Sequence, residues 1–94
     1  MPNEKMVTLL EDTALVAFLA YCGHKVVPIR SKEPTPEEPH VRIAFEVHGE
    51  LDDDVEAFYA NAKVGIADYV KHLKSVRGSM FNLKKLQTKR EVLI

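Results

Sequence analysis

The sequence predicts a small α+β fold: a two- or three-stranded antiparallel sheet with an apolar N-terminal helix and C-terminal helices packed on one face. Three observations carry that expectation. Val41 to His48 alternates apolar and polar side chains with a period of two, as a strand with one buried face requires. Ala14 to Cys22 is an apolar run bounded by Asp12 and Gly23, residue types that begin and end helices. Ile66, Tyr69, Val70, Leu73, Val76 and Met80 recur at three- and four-residue spacing, which lays them along one helical stripe.

Taken in order, Met6 to Leu10 is a short apolar run that fits either a strand or the lead-in to a helix. Asp12 supplies an N-cap, with Thr13 as the alternative. The helix over Ala14 to Cys22 is apolar on every side, so it must be covered on more than one side, in the core or at a subunit interface. Cys22 reads as a small core residue within that run. Lys25 to Arg30 is a strand interrupted by Pro28, which lacks a ladder donor and belongs at a sheet edge. Residues 31–39 hold three prolines and three glutamates and read as an exposed, stiff loop. Across that loop the two strands form an antiparallel hairpin.

Within the second strand, Val41, Ile43, Phe45 and Val47 point one way, and Arg42, Ala44, Glu46 and His48 the other. The acidic run Glu50 to Asp54 suits a helix N-terminus, where the macrodipole favours negative charge. Val55, Phe58 and Tyr59 then form one face of a short helix reaching about Ala62. Gly65 weakens continuity, so a bend is expected near Lys63 to Gly65, followed by a longer helix from Ile66 to about Phe81. Residues 82–94 are a helical extension or a basic tail. The core expected from these elements joins the apolar face of Val41 to Val47 with Leu15, Phe18 and Leu19, closed by Val70, Leu73 and Val76.

The 94 residues make one domain, 1–94, with an apolar share of 46% that argues against global disorder. A single cysteine excludes an internal disulfide, and the nine-residue run Ala14 to Cys22 is too short to span a bilayer. With no secretory signal pattern at the start, a cytoplasmic location without membrane contact is expected.

Charge is segregated along the chain. Seven cations and no acid lie between Tyr69 and Arg90: Lys71, Lys74, Arg77, Lys84, Lys85, Lys89 and Arg90. The net charge of -1 hides this cluster, which creates a local field attractive to polyanions. At about 100° per residue, Lys71, Lys74 and Arg77 flank the apolar stripe, placed to follow a phosphate backbone. Cations near a helix C-terminus are also favoured by the dipole alone, so a merely solvated face explains them too. Phe81 is the aromatic placed to stack beside the basic segment, whereas the outward side of Val41 to His48 offers His40, Arg42 and His48 but no Phe, Tyr or Trp.

Other chemistries lack their patterns. His40 and His48 are about 26 Å apart along a strand, too far to share an ion, and His24 approaching one of them gives two ligands with Glu46 a weak third. Asp52, Asp53 and Asp54 lack the alternating spacing and central glycine of a calcium loop. Ser31, Ser75 and Ser79 lack a nucleophile elbow, and Cys22 lacks an electropositive setting. No enzymatic activity, metal or cofactor is expected.

The order of short motifs resembles a family of small uncharacterised domains of bacteria and their phages. The residues carrying the resemblance are Gly23-His24-Lys25 after the apolar helix and Val41-Arg42-Ile43-Ala44-Phe45-Glu46 in a strand. Val55-Glu56-Ala57-Phe58-Tyr59 and Leu73-Lys74-Ser75 continue it in helices, so that it covers about Thr8 to Phe81. It implies a compact helix–hairpin–helix domain of mobile-element origin and identifies no catalytic residue. The proline-rich loop and the segment after Phe81 stand outside the shared pattern.

The expected function is non-catalytic binding of DNA or RNA, as a monomer or homodimer. Lys71, Lys74 and Arg77 would contact phosphates, and Lys84, Lys85, Lys89 and Arg90 would add non-specific attraction. The alternative is a protein-interaction module that docks through its apolar helix or the acidic Glu50 to Glu56 edge.

Overall fold

A computed structural model describes residues 6–32 and 35–93, with side chains described as far as Lys85 except that of Lys32. Three strands and three helices follow one another along it: β1 (Val7–Leu10), α1 (Thr13–Tyr21), β2 (Val26–Lys32), β3 (Arg42–His48), α2 (Asp52–Tyr59) and α3 (Ile66–Leu93). The sheet is antiparallel throughout, in the order β1-β3-β2. The small α+β architecture is therefore as the sequence predicts, and Met6 to Leu10 resolves into a strand.

Asp12 begins α1 as expected, its Oδ1 accepting from the Ala14 and Leu15 amides at 3.0 and 3.3 Å. The helix ends against Gly23, whose φ of +107° lies in the left-handed region open to glycine. Leu15, Val16, Ala17, Phe18 and Leu19 are all buried, so the helix is apolar on all sides because it is covered on all sides. Each large side chain among them contributes roughly 1.5–3 kcal/mol on leaving water. Its cover comes from the inner face of the sheet, where Ile43, Phe45 and Val47 are buried, and from α2 and α3. With these side chains used inside the chain, α1 presents no apolar face to a partner.

Cys22 departs from expectation. It follows the last helical turn, where the chain swings toward Gly23, and this places it at the surface rather than in the core.

Pro28 lies in β2, an edge strand, which suits a residue without an amide donor. That strand runs on through Ser31 and Lys32, with an irregularity between Arg30 and Lys32, so the connecting loop begins later than residue 31. In its described part, Thr35 and Glu38 close a turn: the Thr35 amide donates to the Glu38 carbonyl at 2.8 Å, and the Glu38 amide to the Thr35 hydroxyl at 3.0 Å.

Three aspartates, Asp52, Asp53 and Asp54, occupy the first turn of α2, where the macrodipole stabilises them in the absence of a side-chain cap. Asn61, at φ +64°, reverses the chain after α2. The following helix, α3, is 28 residues long and passes Phe81 without a break. At 1.5 Å per residue it spans about 42 Å, which accounts for the 45 Å longest dimension of the molecule.

The core-facing side of α3 is rotated from the expected stripe. Val76 is buried, and Tyr69, Leu73, Met80 and Leu83 pack against the core, whereas Ile66 is 76% and Val70 37% exposed. A hydroxyl decides the rotation: the Tyr69 OH donates to the Ala14 carbonyl at 2.9 Å, pinning that side of α3 to α1. The Gly65 amide in turn donates to the Tyr21 hydroxyl at 2.9 Å, fixing the start of α3.

Candidate nucleic-acid interface

Turning Tyr69 and Val76 inward sets the opposite side of α3 toward solvent. Lys71, Lys74, Arg77, Lys84 and Lys85 are all exposed. At about 100° per residue, Val70, Lys74, Arg77 and Phe81 fall within an arc of about 60°. Phe81 is 66% exposed, one turn after Arg77 and one turn before Lys84 and Lys85. The outward flank thus alternates cations with exposed apolar side chains, a composition suited to phosphates and to the faces of unstacked bases.

From Lys71 to Lys85 the flank extends about 21 Å along the helix, comparable with the rise of about six base pairs. Among the described residues, no carboxylate forms an ion pair with Lys71, Lys74, Arg77 or Lys85. Of the acidic first turn of α2, Asp54 is engaged elsewhere, facing His24. Lys89 and Arg90 belong to the same helix by backbone, but their side chains lie outside the described residues.

A second polar cluster joins the end of α1 to α2. His24 Nδ1 lies 3.0 Å from the His48 carbonyl and Nε2 lies 2.7 Å from Asp54 Oδ2. Both ring nitrogens face oxygen atoms, so the one imidazole bridges a main-chain carbonyl and a carboxylate. The ring crowds Gly49, where a Cβ would come within 3.3 Å of Nδ1 and where φ is +104°. Although Cys22 is exposed, partial desolvation by its neighbours pushes its thiol above the ordinary range, assisted by the Asp54 charge and a hydrogen bond to that carboxylate. The His24 ring ties the end of α1 to β3 and α2 and works as a clamp.

The other histidines stand apart. His72 meets the Tyr21 ring edge-on, with centroids 6.1 Å apart, and His48 lies on the outer face of the sheet. Among the described residues, no three His, Cys, Asp or Glu side chains converge as metal ligands. A cavity of about 100 Å³ lies between Phe18, Phe58 and Tyr69, small beside the ~300–1,000 Å³ of metabolite sites. Among the described residues, no helix is long and apolar enough to cross a membrane.

Comparison with known proteins gives no matching family, no similar curated protein and no similar solved structure.

The cations and Phe81 are readable in the sequence as candidates. Two features are not: the His24–Asp54 contact, and the exposed Val7 and Leu9 on the outer side of β1. The sequence signal for the latter is a short apolar run, Met6 to Leu10, without a period that assigns a face.

Proposed function

We propose that this protein binds nucleic acid without catalysis, through the outward flank of α3. Lys71, Lys74 and Arg77 contact backbone phosphates, Lys84 and Lys85 extend the track, and Phe81 stacks on an unpaired base. The supporting observation is that these cations stand on one continuous helix, exposed, with Lys71, Lys74, Arg77 and Lys85 unpaired by any described carboxylate. A solvated basic face is common, but here it is joined to an aromatic ring left two-thirds exposed, a cost in water that a stacked base removes.

Fluorescence anisotropy with single- and double-stranded oligonucleotides of both sugars, across a salt series, tests the reading. Each phosphate contact contributes a slope of roughly 0.7–0.9 in log affinity against log salt. Replacing Lys71, Lys74 and Arg77 together by Ala is expected to flatten the slope by about two to three, and Phe81→Ala to weaken single-strand binding selectively. Unchanged affinity and slope in the triple variant would discard the proposal.

The second reading is a protein-interaction module. Its support is the sheet rather than α1: Val7 and Leu9 are 46% and 57% exposed on a face that no described helix covers.

A further inference from the structure

The strand register divides the sheet into two unlike faces. Leu10, Val26, Val41, Ile43, Phe45 and Val47 face the helices and belong to the core. The alternate residues face away: Val7 and Leu9 from β1, Val27 and Ile29 from β2, and Arg42, Ala44, Glu46 and His48 from β3. Leu9 sits beside Glu46, and Ile29 beside Ala44. Two apolar rows therefore border a central strand whose middle residue is small.

Ala44 lies at the bottom of this trough, 2% exposed although it points outward. Arg42 and Glu46 stand two positions to either side of it, on the same face and about 13 Å apart at strand rise. Among the outward strand residues whose side chains are described, Glu46 is the one acid and Arg42 the one permanent cation. Neither forms an ion pair with the other, Glu46 lying 3.8 Å from His48.

We infer that this face is an interface with a second copy of the chain, packed face to face about a twofold axis through Ala44 with the two β3 strands antiparallel. Such an axis exchanges the position two before Ala44 with the position two after it. Arg42 of each copy then lies over Glu46 of the other, giving two opposite-charge pairs. The alternative twofold, with parallel β3 strands, would set Arg42 over Arg42 and Glu46 over Glu46. Charge thus selects one orientation, and the methyl group of Ala44 permits close approach at the axis. Ile29 meets its own counterpart beside the axis, while Leu9 covers the arginine side of the opposing strand.

The footprint sets the strength. With seven residues each in β2 and β3 and four in β1, strands about 4.8 Å apart cover roughly 290 Å², well under half of the ~800 Å² per partner of a standard stable interface. The dimer should therefore dissociate on dilution. Nothing in this inference depends on α3 or on nucleic acid, since the basic flank and the outer sheet face lie on different elements.

Sedimentation equilibrium over a concentration series tests it by charge exchange. Wild type should pass from monomer to dimer with rising concentration. Arg42→Glu and Glu46→Arg should each weaken the dimer by about tenfold or more, each converting two attractions into two repulsions. The double variant Arg42→Glu/Glu46→Arg should restore association to within a few-fold of wild type. Leu9→Ser, at a position outside the core, should weaken it while leaving the circular dichroism spectrum unchanged. The inference is overturned by a wild-type protein that stays monomeric up to about 1 mM, or by single reversals that still dimerise as wild type does. It is equally overturned by a folded double variant that fails to recover, and single reversals without effect would place any self-association at the β1 edge instead.

Discussion

His24 and Asp54, 30 residues apart in sequence, meet at 2.7 Å and tie the end of α1 to the first turn of α2. Because the other ring nitrogen engages the His48 carbonyl at the end of β3, one imidazole holds three elements together. The clamp spans the layer between helices and sheet at the point where Gly49 turns the chain.

Removing the carboxylate from that clamp should loosen it. Asp54→Asn keeps the shape but exchanges a charged acceptor for a neutral one. A hydrogen bond to a charged group contributes roughly 1.5–3 kcal/mol when buried, and partial exposure brings this pair down to about 1 kcal/mol. Urea unfolding should show a lower midpoint with an unchanged slope. Asp53→Asn, one residue away and exposed, loses only the helix-dipole contribution that both variants share, so its midpoint should fall less than that of Asp54→Asn.

The same carboxylate governs Cys22. Partial desolvation raises the thiol first, and the Asp54 charge and hydrogen bond raise it further. A raised thiol ionises only as pH climbs through its elevated range, so thiolate is scarce at neutral pH. Alkylation by iodoacetamide should therefore be slower than for the unfolded chain, with its pH profile displaced upward. In Asp54→Asn the profile should move back toward lower pH, stopping short of the unfolded value because the partial desolvation remains. A profile identical in both proteins would show that Asp54 does not reach the sulfur.

A pair of valines tests the rotation of α3. Val76→Ala removes two buried methyl groups and should cost about 2 kcal/mol. Val70→Ala, on the exposed flank, should change stability by less than about 0.5 kcal/mol. Equal losses in thermal or urea unfolding would restore the stripe that includes Ile66 and Val70.

The contrast between those valines shows where sequence reading succeeds. Val41 to His48 is legible because a period of two has only two faces, and one of them carries Arg42 and Glu46. The extent of α1 is legible because Asp12 and Gly23 mark its ends chemically. On α3, however, apolar residues fill more than half the circumference, and two overlapping stripes satisfy the same spacing. What separates them is the Tyr69 hydroxyl reaching Ala14, a contact across 55 residues that no local pattern encodes. Cys22 fails for a related reason: composition extends the apolar run, but the backbone leaves the core one residue earlier.

For the candidate interface, residue identity was readable and electrostatic context was not. Lys71, Lys74 and Arg77 are plain in the sequence, yet their value to a ligand depends on where the aspartates of α2 point. For Asp54 that direction follows from the His24 contact, which becomes visible only when the chain is folded.

The strand order β1-β3-β2 has a consequence for assembly. The strand that arrives last in the chain occupies the middle, and the two that precede it share no hydrogen bonds. During synthesis, β1 must wait for residues as distant as His48 before it finds a partner. A nascent chain halted at residue 40 would therefore hold two orphaned ribbons and no ladder at all.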